Sequence, residues 1–435
     1  MSNKTNVLLQ AEKMIKPLAL EHVPQDSDVE AVIDQWLHAI ATDSQFYCNQ
    51  EISNPEQLKE HVISLLQQNG LYTTRNAFFN DVFGALKLKP DFDAKFRFID
   101  LFAGIGGIRL GAQANGGVCV FSSEFDSFAQ NTYSFNHGEH PFGDITKVQE
   151  KNIPEHDVLL AGFPCQPFSY SGRCEGFEDK TRGTLFFDVL RILEQKTPKF
   201  ALLENVKGFK SHNKGETMFI ALKALEEAGY EPHWTILNSY DYGVPQYRER
   251  WYCVAIRKDL GITDFLFPDL IDRKTKLRDI VNLNEDDQSL SITKFEKERI
   301  KYHFDNYKKQ ERVQHDNSMY KPHTKKGRHG VFSFLKADGS LRFHVGDAAK
   351  TQIQEAFYAC LDTYAPTIIA NRVPKLWDIQ RKLSVTEALR LQGFPDEFNF
   401  RVSKAQAYKQ LGNSVTVNVV EAIIEKIIKI KGGLL

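Results

Sequence analysis

Apolar and polar positions follow two different periods along the chain, and the change falls near residue 95. Before it, apolar residues recur every three or four positions, as in the stripe of Leu58, Val62, Leu65 and Leu66. Asn54 can cap the helix that carries this stripe, with Pro55 at its first position. Asp26 or Ser27 can begin an earlier helix. Residues 1–95 are therefore predicted to form a helical N-terminal extension.

From Phe96 onward, short apolar runs alternate with helical patterns. The runs predicted to be strands begin at Phe96, Val118, Asp157, Phe200, Trp234 and Trp251. Helical patterns lie at residues 108–114, after Thr184 and at residues 216–228. This alternation is typical of an α/β fold, in which helices cover both faces of a mostly parallel sheet. Residues 96–265 are assigned to this domain.

The alternation fails after about residue 261, and the charge changes there as well. Residues 271–330 carry 15 Lys and Arg against 10 Asp and Glu, a net charge of +5, and Lys325, Lys326 and Arg328 lie in the densest part. Such a run is most often a solvated surface. Interleaved tyrosines and a phenylalanine also suit contacts with phosphates and bases. Residues 266–375 are predicted to be a separate, smaller substrate domain.

Regular structure returns toward the C-terminus. Ser384 and Glu387 form a capping-box pattern that opens a helix through Leu391, within a hinge and helix assigned to residues 376–407. A polar turn is predicted at residues 410–415. The last helix has an apolar stripe that must be buried, formed by Val420, Ile423, Ile424, Ile427 and Ile428. Residues 408–435 are expected to return and pack beside the first strand, turn and helix.

The overall composition narrows the class of protein. The chain has 435 residues, a formal net charge of -1 and 42% hydrophobic residues, as in ordinary soluble proteins. No apolar run is long enough to span a bilayer, and the first residues lack the apolar core of a signal peptide. The 6 cysteines contain no CxxC pair, so neither a zinc site nor a disulfide framework is indicated. A cytoplasmic protein without a metal is predicted.

One cysteine stands in an unusual context. Residues 162–169 read Gly-Phe-Pro-Cys-Gln-Pro-Phe-Ser and follow a strand pattern. Cys165 is thus predicted to lie just beyond the carboxyl end of a strand, the edge where ligands bind in open α/β sheets. A lone cysteine is most often a small buried hydrophobe, which explains Cys119 and Cys253 in their apolar runs. The turn-forming and polar neighbours of Cys165 fit a thiolate nucleophile better.

The first predicted strand leads into a glycine turn with Gly104 and Gly106. Strand, glycine turn and helix together are typical of sites that cradle a nucleotide. Arg109 stands where the dinucleotide-binding pattern has its third glycine, which disfavours a dinucleotide cofactor. Glu124, at the end of the next strand, either accepts hydrogen bonds from ribose hydroxyls or is solvated. Asp144 either accepts a bond from an adenine amino group or belongs to a plain turn.

Six segments, in this order and spacing, resemble the motifs of the DNA (cytosine-5)-methyltransferase family, of the bacterial restriction-modification kind. They are residues 100–107, 162–169, 204–206, 246–250, 384–395 and 410–415. The resemblance extends from Phe96 to the C-terminus, and the basic segment lies where this family has its variable target-recognition domain. It implies a Rossmann-like fold of S-adenosylmethionine-dependent methyltransferases, with a small irregular target-recognition domain at residues 266–375.

The resemblance also implies a reaction. The enzyme would transfer a methyl group from S-adenosylmethionine to C5 of a cytosine flipped out of a specific short duplex sequence. Cys165 would add to C6 as a thiolate, because C5 alone is too weak a nucleophile. Glu204 would donate a proton to N3, Arg250 would bond the ring O2, and Arg248 would help to hold the site positive.

The other site residues follow from their positions in the family's motifs. Expected cofactor contacts are Asp100, Phe102, Gly104, Gly106, Gly107, Glu124, Asp144, Ile145, Pro164, Leu185, Asn413 and Ser414. Ser169 is an expected DNA contact in a polar, glycine-containing loop that would close over the flipped base. Lys325, Lys326 and Arg328 are expected to contact DNA from the basic segment. No metal ligands are implied.

Double-stranded DNA is the expected partner, no membrane is involved, and a cognate restriction endonuclease would act on the same site without necessarily binding the enzyme. A monomer is expected.

Three other interpretations are disfavoured. An RNA-methylating branch of the family fits the basic domain less well. A regulator whose extension binds an operator is opposed by 8 Lys and Arg against 13 Asp and Glu in the first 96 residues. A nicotinamide-dependent oxidoreductase lacks the third glycine.

Overall fold

The computed structural model describes residues 5–164, 185–272, 274–294, 296–298, 300–301, 314–322, 328–335, 341–346, 354–370 and 372–430. Cys165, Ser169, Lys325 and Lys326 lie outside these ranges.

The N-terminal extension is helical, as predicted. Its helices are α1 (Asn6–His22), α2 (Val29–Thr42), α3 (Pro55–Gln68) and α4 (Arg75–Phe83). Asn54 caps α3 by accepting a hydrogen bond of 3.0 Å from the amide of Glu56. Asp28, rather than Asp26 or Ser27, caps α2, because its carboxylate accepts hydrogen bonds from the first free amides of that helix.

The main sheet has the strand order β2-β1-β3-β4-β7-β5. The strands in chain order are β1 (Phe96–Leu101), β2 (Gly117–Ser123), β3 (Val158–Gly162), β4 (Phe200–Val206), β5 (Tyr230–Asn238), β6 (Gln246–Tyr247) and β7 (Glu249–Arg257), of which β6 pairs elsewhere. β7 is antiparallel to both β4 and β5, while the pairs among β2, β1, β3 and β4 are parallel. The mostly parallel sheet is therefore confirmed, with one reversed strand inside it.

Helices cover both faces of this sheet. They are α5 (Gly107–Gln113), α6 (Ser127–His137), α7 (Leu185–Lys196) and α8 (Glu216–Glu227). Successive strand residues point to opposite faces. Ile99 packs into a cluster shared with α7, α8 and the N-terminal extension, whereas Phe98 packs into a second cluster with α5 and the C-terminal helix.

A second sheet has the order β14-β13-β11-β10-β9-β8. Its strands, together with the short β12 that pairs with β6, are β8 (Gln314–Pro322), β9 (Arg328–Leu335), β10 (Leu341–Gly346), β11 (Gln354–Ala359), β12 (Ala365–Pro366), β13 (Lys375–Leu376) and β14 (Arg381–Lys382). This part is more regular than the sequence predicts. The reason is that β8 reads Gln-His-Asp-Asn-Ser-Met-Tyr-Lys-Pro, without the apolar alternation that signals a strand.

The C-terminal segment contains α9 (Val385–Leu391), α10 (Lys404–Asn413) and α11 (Val417–Ile428). The capping box of Ser384 and Glu387 at the start of α9 is confirmed. Residues 410–413 end α10 instead of forming the predicted polar turn, because Ser403 caps a helix whose apolar side is buried. The return of α11 onto the first unit is also confirmed: a Cβ on Gly111 of α5 would lie 2.7 Å from Cγ1 of Val420.

Candidate active site

The glycine turn follows β1 directly and is shaped by positive φ angles. Phe102, Gly104 and Gly106 have φ values of 56°, 56° and 85°. A Cβ on Gly106 would lie 2.2 Å from Nε2 of His137, so a side chain there has no room. At Gly104 no atom of the described residues lies within 4 Å of that position. The backbone of the turn at Gly104 is therefore open to close approach by a ligand.

Glu124 connects the end of β2 to this turn. Its carboxylate accepts a hydrogen bond of 2.7 Å from the amide of Gly104 and another of 2.7 Å from the amide of Asp126. Burial raises the pKa of Glu124, and these amide hydrogen bonds oppose the rise. Glu124 is consequently held in place beside the glycine turn.

Other expected cofactor contacts lie around the same edge of the sheet. Asp144 accepts hydrogen bonds from the amide and hydroxyl of Thr146, at 3.1 and 2.8 Å, and Ile145 beside it is buried. Asp100 is fully buried in β1, and neither of its carboxylate oxygens has a hydrogen-bond partner in the part of the chain that the structure describes. Burial raises the pKa of Asp100 to about 8. A neutral Asp100 beneath the glycine turn follows from this environment.

The strand ends bring the described start of the predicted nucleophile segment, residues 162–164, close to Glu204. Gly162 at the end of β3 pairs in register with Glu204 of β4. Asn205 donates a hydrogen bond of 3.0 Å to the carbonyl of Phe163, which fixes the start of the segment, and Pro164 is exposed. Cys165 itself is beyond the described range.

Glu204 and Arg250 form the central charged pair of the site. Arg250 Nε lies 3.2 Å from Glu204 Oε1, and both side chains are largely buried. Burial raises the pKa of Glu204, while the guanidinium groups of Arg250 and Arg248 oppose the rise without cancelling it. A buried carboxyl with a raised pKa beside a guanidinium can donate a proton to one atom of a base while its neighbour bonds another.

Arg248 lies near Glu204 and is tied to the backbone of the returning C-terminal segment. Its guanidinium is buried and donates hydrogen bonds to the carbonyl oxygens of Ile368 at 2.9 Å, Gly412 at 3.3 Å and Ser414 at 2.5 Å. Its neighbour Gln246 donates to the carbonyl of Leu391 and accepts from the amide of Ile368. Arg248 adds positive charge near Glu204, but its hydrogen bonds hold the returning C-terminal segment.

That segment reaches the glycine turn. A Cβ on Gly107 would lie 2.6 Å from the hydroxyl of Ser414, so the Ser414 side chain lies directly against the Gly107 backbone. Asn413 is exposed at the end of α10, and Leu185 is the partly buried first residue of α7. Arg328 begins β9. The structure thus brings residues from both ends of the catalytic region to one sheet edge.

A buried ionic network went unnoticed in the sequence. Arg109 of α5 is 1% exposed and donates hydrogen bonds to Glu139, to the hydroxyl of Tyr133 at 2.8 Å and to Gln113 at 2.7 Å. The sequence shows Arg109 only as the residue that stands in place of the third glycine of the dinucleotide-binding pattern. Glu139 lies in a polar turn with no pattern that could reveal its partner.

Within the described ranges, no three His, Cys, Asp or Glu side chains gather as a metal site would require. Among the helices described, none has the length and apolarity needed to cross a bilayer.

Comparisons with known proteins bear on the whole region after the extension. The family model for C-5 cytosine-specific DNA methylases matches residues 96–429. Type II methyltransferase M.HhaI of Haemophilus parahaemolyticus is 39% identical over 328 residues, which cover 75% of this chain and 92% of that protein. Type II methyltransferase M.HpaII of Haemophilus parainfluenzae is 41% identical over 350 residues, 79% and 92% of the two chains. The crystal structure of S. pombe Dnmt2 methyltransferase has a similar fold, with a TM-score of 0.52, 18% identity and coverage of 77% and 98%.

Proposed function

Because the chain belongs to the C-5 cytosine-specific DNA methylase family, we propose a role for each residue of the site. The enzyme transfers a methyl group from S-adenosylmethionine to C5 of cytosine in DNA. The observation that carries the assignment of roles is the buried pair of Glu204 and Arg250 beside the end of β3.

The residues at the glycine turn fit S-adenosylmethionine. The open space over Gly104 admits a ligand against the backbone, and the Glu124 carboxylate stands fixed beside it. Phe102 would pack on the adenine, Glu124 would bind the ribose, and Asp144 would accept from the adenine amino group. Ile145, Pro164, Leu185, Asn413 and Ser414 would complete the pocket. When bound, the cofactor supplies an electrophilic methyl group.

The chain's own residues would prepare the cytosine. Cys165 as a thiolate would bond C6, and the proton that Glu204 gives to N3 would neutralise the negative charge that develops on the ring. Arg250 would bond the ring O2, and the positive charge of Arg248 would favour the thiolate and the ring oxygen from a greater distance. After methyl transfer, loss of the C5 proton would expel Cys165.

The remaining roles concern DNA and the cellular setting. Residues 266–375 would choose the target sequence, with Ser169, Lys325, Lys326 and Arg328 contacting the duplex. The net charge of +5 over residues 271–330 supports this role. The enzyme would act in the cytoplasm as a monomer, as the modification half of a restriction-modification system with an endonuclease of the same site.

Methyl transfer from tritiated S-adenosylmethionine to duplex DNA or tRNA tests these assignments. Cys165→Ser should bind the cofactor and lose turnover by roughly 10³-fold or more. Cys174→Ser, which removes the cysteine in the loop expected to close over the flipped base, should stay active. Glu204→Gln should lose roughly 10²-fold or more in kcat. Glu249→Gln is its matched control, since Glu249 is the neighbour of Arg250 on β7 but pairs with Lys207. Turnover within twofold of wild type in Cys165→Ser or Glu204→Gln would remove that residue from the mechanism.

A further inference from the structure

The N-terminal extension lies outside the matched residues 96–429, and the roles proposed above do not use it. It nevertheless shares one apolar cluster with the cofactor-binding half of the sheet. Gln35 of α2 donates a hydrogen bond of 3.1 Å to the carbonyl of Val120 in β2, and its side-chain oxygen accepts one of 2.8 Å from the amide of Tyr47. The extension is thus joined to the strand that ends in Glu124.

One contact reaches the backbone of Glu124 through a single residue. The ring of Tyr47 lies 4.6 Å from that of Phe142, centre to centre. Phe142 donates from its amide to Ser122 and accepts at its carbonyl from the amide of Glu124, both at 2.8 Å. Displacement of Phe142 would therefore move the backbone that presents the Glu124 carboxylate.

A second contact pairs a histidine with a carboxylate, and both side chains are buried. His38 of α2 places Nδ1 2.9 Å from Glu139 Oε2 and Nε2 3.2 Å from the carbonyl oxygen of Gly138. Glu139 Oε1 accepts from Arg109, which stands on α5 immediately after the glycine turn. Burial alone would raise the pKa of the Glu139 carboxyl, but Arg109 and His38 hold it below its ordinary value. His38 is thereby linked through two charged groups to the helix that begins at the turn.

A third contact fixes the same loop from the other side. The amide of His140 donates a hydrogen bond of 2.9 Å to Asp34 Oδ2, and the His140 ring lies 3.4 Å from Asp28 Oδ2. Side chains of α2 and its cap thus hold residues 138–140 at several points. The same loop continues to Phe142, which bonds to the backbone of Glu124, and α5 begins at the glycine turn.

We propose that the N-terminal extension positions the cofactor pocket, with His38 acting through Glu139 and Arg109 and with Tyr47 acting through Phe142. His38 is a positioning residue, since it touches neither the reacting atoms nor the glycine turn itself. The proposal rests on the cofactor contacts assigned above. It predicts that damage to these contacts weakens binding of S-adenosylmethionine before it weakens binding of DNA.

Calorimetry with S-adenosylmethionine alone, and separate titration with duplex DNA, tests the proposal on full-length variants. His38→Ala should raise the cofactor Kd and KM about tenfold and leave the DNA Kd within about twofold. His38→Asn, whose amide group can take the place of Nδ1 beside Glu139, should recover most of the affinity. Lys59→Met is the control, because Lys59 forms its 2.7 Å ion pair with Asp43 inside the extension. It should reduce thermal stability and leave the cofactor Kd unchanged.

Tyr47→Leu tests the apolar contact if His38→Ala fails to fold. Its cofactor Kd should rise severalfold, with faster hydrogen exchange at the amides of Phe142 and Glu124. The proposal is overturned if folded His38→Ala and Tyr47→Leu bind the cofactor like wild type, or if Lys59→Met weakens binding equally. A wild-type protein that does not bind S-adenosylmethionine would instead overturn the assigned cofactor site. Loss of stability alone, with unchanged Kd, would reduce the extension to a structural role.

Discussion

At the scale of single residues, the protonation of two buried carboxyl groups depends on which charged or polar groups lie beside them. Glu204 and Asp100 are both carboxyl groups near strand ends, and burial raises the pKa of each. Glu204 has Arg250 beside it, whereas the oxygens of Asp100 have no hydrogen-bond partner among the described residues. Glu204 is therefore the carboxyl that can exchange a proton at the edge of the sheet, and Asp100 is one that stays neutral inside it.

The raised pKa of Glu204 predicts a pH effect on stability. The folded protein holds the Glu204 proton more tightly than the unfolded chain, whose carboxyl has a pKa of about 4.3. Between that value and the raised pKa of the folded state, stability falls as the pH rises. The free energy of unfolding of wild type should therefore decrease relative to that of Glu204→Gln as urea titrations move upward from pH 4. A difference that grows in favour of wild type would contradict the assignment.

At the scale of elements, the site is assembled by strands that end at one edge and by a helix that returns from the C-terminus. α11 packs on α5 so closely that a Cβ on Gly111 would lie 2.7 Å from Val420 Cγ1 and 2.9 Å from the backbone nitrogen of Glu421. Arg248 adds hydrogen bonds to carbonyls of the same returning segment. The glycine turn is thus held from α5 on one side and from Ser414 on the other.

Substitution of Gly111 tests that packing. Gly111→Val should lower the free energy of unfolding by about 1–3 kcal/mol, because the backbone of α11 must move to admit the side chain. Gly208→Val is the control, since within the described ranges no atom lies within 4 Å of a Cβ on Gly208. Urea unfolding of both variants measures the difference. Equal effects would show that the contact between α5 and α11 is loose.

At the scale of the whole molecule, the second sheet and the catalytic sheet are linked by a short connection. β12 pairs with β6, and Ile368 just beyond it bonds to both Gln246 and Arg248. Leu361, Ala365 and Ile368 are buried in a cluster with α9 and α10. The part of segment 266–375 that runs from β12 to Ile368 therefore supports the catalytic site. Strands β8 to β11 come before this part in the chain.

Exchange of residues 314–359 tests where sequence specificity lies. A chimera with the corresponding segment of another family member, which keeps β12 and Ile368, should methylate the donor's site and still require Glu204. Each base-edge contact carried by the segment should be worth about 1–3 kcal/mol of discrimination. Bisulfite sequencing of methylated plasmid reads out the site. A chimera that folds, binds S-adenosylmethionine and retains the original site would place specificity elsewhere, and the N-terminal extension would be examined next.

The sequence by itself determined the features that depend on neighbouring residues. Apolar periods predicted the alternation of strands and helices, Ser384 and Glu387 predicted a capped helix, and the motifs predicted the family. Caps and periods are encoded within a few residues, so no knowledge of the rest of the chain is needed.

Only the tertiary structure decided which distant groups meet. β7 is reversed within the sheet, and Arg248 bonds to the carbonyl of Ser414, 166 residues away along the chain. Glu139 has buried partners both in α5 and in the extension. The contacts of Arg248 and Glu139 produce no periodic pattern in the sequence. They form only when the chain folds, because a buried charge must find a partner. The residues that hold the site were therefore harder to predict than those proposed to perform its chemistry.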